Sequence, residues 1–389
     1  MADSTAHQPT ADRPRIGLLV NPIAGLGGPV GLKGTDGPAA ARALALGAQP
    51  QAGHRVALAL RTVADRWPAD SATPVVVTVR GAMGSSAVPP GLETQLLDEA
   101  PEDPSAGADT TRLAAALVAA GVDLLLFAGG DGTARDVYQG VGQTVTVLGL
   151  PAGVKMQSDV FAASPTAAGE LVVAVLTGRS RGTREADVLD LDEEAYRHAA
   201  IAPLLLGSLI VPAAPQVQGR KSPSPPTEAT AVAGIAADVV DGFEVGRGYI
   251  LGPGTTTRAI AREAGIAKTL IGVDALLWTD AGGQLLLADA RADQLEALVR
   301  RQPSSIVLTP IGGQGSLLGR GNQQLSPGVL RSVGREGLIV VAAPAKLDAL
   351  AGRPLFVDTG DTELDLALAG HMQVVTGYHE RTVMPVVAA

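Results

Sequence analysis

The 389-residue chain contains no cysteine, which excludes disulfides, thiolate metal sites and cysteine nucleophiles together. Aromatic residues make up only 3% of it while hydrophobic residues reach 46%, so a core must be filled by Ala, Val, Leu and Ile rather than by rings. That composition suits a close-packed α/β protein. Histidine is scarce as well, and five scattered imidazoles leave little for a zinc site. The 30 basic residues are outnumbered by 39 acidic ones and are dispersed, so no basic face is available to track a nucleic-acid backbone. No apolar run reaches membrane-spanning length, and the opening MADSTAHQPTAD has no apolar stretch of the kind a signal peptide needs. The expectation is a soluble, cytoplasmic protein whose partners are small molecules, not nucleic acid or membrane. At roughly 150 residues per domain, the length predicts two domains.

What is present is a succession of short apolar runs, several of which end in glycine. Arg15 to Val20 (RIGLLV) reads as a buried strand entering Asn21-Pro22 and a long glycine-rich loop over residues 23–37. An Ala-, Leu- and Arg-rich stretch from Ala39 to Trp67 predicts helices broken near Pro50 and Gly53. Strands are expected at Val75 to Arg80, more weakly at Glu93 to Leu97, then at Val122 to Ala128 and Val145 to Leu150, with a helix over Thr110 to Ala120. The near-continuous apolar strand at 122–128 is of the kind buried on both faces of a parallel sheet. Strands alternating with helices predict a doubly wound, Rossmann-like α/β domain over residues 13–155.

Beyond residue 155 a second domain, 156–389, is expected to be mixed α/β and β. A helix is predicted at Pro165 to Leu176, an exposed strand at Thr183 to Leu191, and a mobile Pro/Ser-rich loop at Gln216 to Thr227. Strand-loop-helix units return from Gly248 to Ala342, with strands at Tyr249 to Leu251, Thr269 to Val273, Ser305 to Thr309 and Leu338 to Ala342. Further strand-like runs lie at Leu355 to Val357 and Met372 to Thr376.

The turn Gly129-Gly130-Asp131-Gly132-Thr133 follows a buried strand and opens a helix, so its backbone N–H groups can converge on an anion. Glycines let a phosphate approach without a Cβ in the way. Asp131 within it would stand close to a reacting oxygen, where a carboxylate can accept a hydroxyl proton or help position a metal. A plain helix cap is the simpler use of an aspartate, but it does not account for two glycines before it and Gly-Thr after it.

This GGDGT string, with Asn21-Pro22 at the end of the first strand, resembles the ATP-NAD kinase superfamily, shared with diacylglycerol and sphingosine kinases. More narrowly, VNPIAGLGGPVGLKGTDG, FAGGDGTARDV, LPAGVK, ILGPGTTTRAI and TPIGGQGSLLGRGNQQLSP are similar to the predicted ATP- or polyphosphate-dependent NAD kinase branch that includes acetoin-catabolism X-type proteins. The resemblance implies a phosphotransferase using ATP, NAD and Mg2+, commonly a homo-oligomer, with its site between two domains. It implies that Asp131 deprotonates the ribose 2'-hydroxyl of NAD and that Gly129, Gly130, Gly132 and Thr133 hold phosphates. Gly312, Gly313 and Gln314, within TPIGGQ, correspond to the stretch that lines the dinucleotide site. The Asn-Glu pair that binds the nucleoside in ordinary NAD kinases has no equivalent between Pro151 and Gly248, which leaves the acceptor open. A kinase of another small metabolite and a nucleotide-binding regulator without turnover are the alternatives.

Other residues are candidates on their own chemistry. Lys33 and Asp36 in the first loop suit a phosphate contact and a ribose hydroxyl or magnesium-bound water, or are solvated loop charges. Asp136, one turn past Asp131, either assists with metal or proton or only favours the helix N-terminus. Thr255, Thr256 and Thr257 form a second strand-to-helix turn able to cradle an anion, since one cap residue would suffice for capping alone. In GRGNQQLSP, whose standing comes from the resemblance, Asn322 and Gln323 carry amides able to read a base or a nicotinamide carboxamide, and the neighbouring Arg320 suits a phosphate.

Overall fold

The computed structural model describes residues 13–32, 38–153, 156–180, 182–191, 203–214 and 228–388. The expected loop at 216–227 and the candidates Lys33 and Asp36 lie outside the described residues.

The first half contains β1 (Arg15–Val20), α1 (Pro38–Ala45), α2 (Ala52–Arg66), β2 (Val75–Thr78), β3 (Glu93–Leu96), α3 (Gly107–Ala119), β4 (Leu124–Gly129), α4 (Asp131–Val141), β5 (Thr146–Pro151), α5 (Pro165–Leu176), β6 (Thr183–Leu191) and β7 (Pro203–Pro212). Its seven strands form one sheet in the order β3-β2-β1-β4-β5-β7-β6. All pairings are parallel except β6 with β7. Every residue of β4 is buried, as a central parallel strand covered on both faces requires. Helix α5 starts where Ser164 accepts the Ala167 N–H and Pro165 takes the first helical position, where its missing N–H costs nothing. Strands β6 and β7, which follow the boundary expected at residue 155, hydrogen-bond into this sheet. β6 is not an exposed ribbon, because Ala186, Val188 and Leu189 are buried.

The second half contains α6 (Glu228–Asp241), β8 (Gly248–Leu251), α7 (Thr255–Glu263), β9 (Asp274–Thr279), β10 (Gly282–Leu287), α8 (Ala292–Val299), β11 (Ser304–Leu308), β12 (Ser316–Leu318), α9 (Pro327–Val333), β13 (Leu338–Val341), α10 (Pro344–Asp348), β14 (Leu355–Val357), α11 (Thr362–Leu368), β15 (Gly370–Gly377) and β16 (Glu380–Ala388). Nine strands form a mixed sheet, β10-β9-β8-β11-β13-β15-β16-β14-β12. Two apolar clusters sit on it, one around Ile250, Ile306 and Val340 and one around Tyr249, Leu251 and Val307, so neighbouring residues of β8 and β11 face opposite cores.

The strand expected at Thr269 to Val273 is instead a loop, and β9 begins at Asp274. The cause is Lys268, whose ammonium is wholly buried, pairs with the equally buried Asp274 at 3.0 Å, and donates to the carbonyls of Thr269 and Gly272 at 2.9 Å each. Both carbonyls are thereby turned toward the buried ammonium. Burial pushes the lysine's pKa down, and Asp274 opposes that shift.

Candidate active site

Strand order reverses at β1, which has β2 on one side and β4 on the other, and a crevice outside the carboxyl ends of such strands is where open α/β sheets bind ligands. Both predicted first-strand and turn residues meet there. Asn21 donates its backbone N–H to Ala128 O at 2.9 Å and its side-chain Nδ2 to Thr133 Oγ1 at 3.0 Å, while its Oδ1 accepts the Ile23 N–H at 3.2 Å. It staples the end of β1 to the GGDGT turn. Gly129 is obligatory, because a Cβ there would overlap the Thr133 side chain. Gly130 precedes α4, an 11-residue helix whose first turn leaves N–H groups without intrahelical partners.

Asp131 is the first residue of that helix and is 7% exposed. Its Oδ2 accepts the Gln157 N–H at 2.7 Å and its Oδ1 the Ser158 N–H at 2.9 Å. Each carboxylate oxygen thus accepts a backbone N–H from the segment 157–158. The segment that Asp131 holds is fixed from behind as well: Ser158 Oγ donates to Leu189 O and accepts the Leu189 N–H on β6.

The second half of the chain closes over the same segment. Gln314 Nε2 donates to Met156 O at 3.2 Å, and Arg320 Nη2 donates to Ala162 O and Ala163 O at 3.0 and 2.8 Å. Alongside, Arg55 of α2 forms a two-pronged ion pair with Asp358, just past β14. Between these groups lies a cleft of ≈ 300 Å³ lined by residues of both halves, among them Gly25, Arg55, Ala152, Arg320, Gln323 and Asp358. Desolvation lowers the Arg320 pKa to about 9, with Asp358 opposing the shift and Arg55 adding to it, so the guanidinium stays charged at neutral pH.

The remaining predicted residues divide. Gln323 lines the cleft and packs against Gly28 of the first loop. Asn322 is spent on its own turn, accepting from Gly319 N and donating to Leu317 O, both at 2.9 Å. Gly312 and Gly313 stand beside Gln314 on the turn that follows β11, where Arg353 Nη2 holds Gly313 O. Thr255, Thr256 and Thr257 open α7 outside the cleft lining. Thr257 Oγ1 donates to the carbonyls of Gly252 and Gly254, so this hydroxyl serves the turn itself, and Thr256 is buried. Asp136 accepts from Arg135 Nε at 3.0 Å and lies against Gly107, the first residue of α3. Arg55 and Asp358 escaped sequence reasoning. Nothing in the α2 sequence marks Arg55, whereas the strand-to-glycine string Val357-Asp358-Thr359-Gly360 has the same form as the turns that were singled out.

A parallel sheet with a glycine turn and a carboxylate at its switch point, roofed by a second α/β half, defines a phosphotransferase-like nucleotide fold. Residues 16–180 match the ATP-NAD kinase N-terminal domain and residues 246–386 the ATP-NAD kinase C-terminal domain. The chain belongs to the ATP-NAD kinase family. Among solved structures, "A putative diacylglycerol kinase from Bacillus anthracis str. Sterne" is similar at 17% identity with a TM-score of 0.24. That match covers 46% of this chain and 46% of that one, less than half of either. Comparison with curated proteins found no match. No helix among the described residues is long and apolar enough to cross a membrane.

Proposed function

We propose that the chain transfers a phosphoryl group from ATP, or from polyphosphate, to the ribose 2'-hydroxyl of NAD, giving NADP. The observation that supports this best is the placement of Asp131 at the head of α4, beside the switch point of the first sheet. Gln157 and Ser158 orient the carboxylate through their backbone N–H groups, and a carboxylate so held can take the proton of an acceptor hydroxyl. The first turn of α4 and the glycines before it suit the donor's phosphates. Arg55 and Arg320 place guanidinium groups along the cleft, which suits an anionic ligand there.

The described residues contain no group of three or more carboxylates or imidazoles able to build a metal cage. Magnesium carried on donor phosphates needs only one or two protein carboxylates, and Asp131 is the one at the turn. Bound there, it would neutralise phosphate charge.

The test is direct: NAD with ATP or polyphosphate and Mg2+ should yield NADP. If no NADP forms and a panel of other hydroxyl acceptors also fails, the kinase reading falls and a nucleotide-binding regulator replaces it.

A further inference from the structure

We propose that Gln314 and Arg320 are positioning residues for Asp131, gripping from the C-terminal half the segment whose backbone holds the carboxylate. The catalytic consequence rests on the function proposed above; the structural claim does not.

The segment 156–163 is held from both halves of the chain. In its middle, Gln157 and Ser158 give their N–H groups to Asp131, and residues 160–162 pair with β5 through Gly149 N to Val160 O and Ala162 N to Gly149 O, each at 2.8 Å. At its two ends the donors come from the other half of the chain. Met156 O, immediately before Gln157, takes Gln314 Nε2, and the carbonyls of Ala162 and Ala163 take Arg320 Nη2. Gln314 and Arg320 are each only 4% exposed, so the carbonyls they hold lose a largely desolvated donor when the side chain is cut back. The glycines around Gln314 have their own part in this. Gly313 at φ 74° and Gly315 at φ 77° shape the turn that aims the side chain back across the interface. The TPIGGQG string therefore acts on Asp131 through Met156, and the second half adds to the hold that β5 and β6 have on the same segment.

Hydrogen exchange on the peptide containing Gln157 and Ser158 tests the structural claim, with steady-state kinetics beside it. Gln314→Leu, close in volume but with no donor, should speed exchange there roughly two- to tenfold, the factor one net hydrogen bond is worth, while peptides of β4 keep wild-type rates. Its kcat should fall by a similar factor with KM for the donor nucleotide little changed. Arg320→Met should act on the same peptide, and Arg320→Lys, which keeps a buried donor and charge, should restore much of the protection. Asp131→Asn should loosen the same amides from the other side. Unchanged exchange at 157–158 in folded Gln314→Leu and Arg320→Met overturns the proposal; if Arg320→Met does not fold, Gln314→Leu decides it. A wild-type chain with no turnover refutes the kinase reading alone, because the exchange result still decides the positioning.

Discussion

Removing Asp358 should destabilise this protein more than removing Arg55, although the two form one ion pair. The Asp358 side chain is 5% exposed and that of Arg55 13%, so both charges are largely withdrawn from bulk water although both groups border the cleft. Arg320 interacts with both, favourably with Asp358 and unfavourably with Arg55. Asp358→Ala therefore takes the ion-pair partner from Arg55 and an attractive charge from Arg320, and the loss should reach about 3–5 kcal/mol, as for other broken buried pairs. Arg55→Met leaves Asp358 facing Arg320, a substitute cation, and should cost roughly half as much. For domains of comparable size, 3–5 kcal/mol lowers the unfolding temperature by about 6–20 °C. The double variant Arg55→Met with Asp358→Leu should recover much of the loss, because well-packed apolar replacements of a buried pair are often near neutral. Thermal and urea unfolding of the four proteins complete the cycle. The charge argument is refuted if Arg55→Met proves as damaging as Asp358→Ala. Sedimentation velocity shows whether the halves part before either unfolds.

Asp131→Asn should lower kcat by roughly 10²–10⁴-fold, the usual worth of a general base, while isothermal titration still detects nucleotide; full activity in this variant removes Asp131 from the chemistry. Gly25→Ala should be costly, since Gly25 has φ 80° and its Cβ would land on the Ala152 carbonyl oxygen, whereas Gly47→Ala, at φ 85° in open space, should cost only the ~1–2 kcal/mol of the left-handed backbone. Equal losses in urea unfolding would deny the close approach of the first loop to residue 152. The Ala106 N–H, with help from the Glu102 N–H and Arg112, holds the Asp109 carboxyl below the usual carboxylate range despite its burial. A depressed folded-state pKa contributes stability that is present above the unfolded value of about 4 and is lost as pH falls through the lower folded one. Asp109→Asn should flatten acid unfolding in that window, and an unchanged acid limb would show that Asp109 does not contribute.

Legibility of the fold followed local pattern. β1, α5 and β14 carry strong apolar runs with punctuating Pro, Ser or Gly, and their bounds agree with those expected from sequence. The turn after β4 was equally visible, since its glycines and its position between strand and helix are written in adjacent residues. The loop at 269–273 was not, because its conformation is set by where the Lys268 side chain goes. β6 reads as a polar ribbon in isolation, and only its pairing with β7, across residues distant in sequence, makes it part of the first sheet. The same limit applies to the site. Asn21 and Thr133 are 112 residues apart yet both lie in recognisable turns, so their meeting could be anticipated. Arg55 with Asp358, and Gln314 with Met156, join an unmarked helix position or a plain carbonyl to a distant turn, and no spacing rule encodes that.

The separation of 303 residues between Arg55 and Asp358 has a consequence during synthesis. At about 5–20 residues per second, the ribosome takes roughly 15–60 s to add Asp358 after Arg55. For that interval the nascent first half can pair its strands but presents Arg55 with no carboxylate from the second half. The newborn chain is thus longest without its clasp at the face that becomes the cleft, and that face is where a chaperone would have the most to shield.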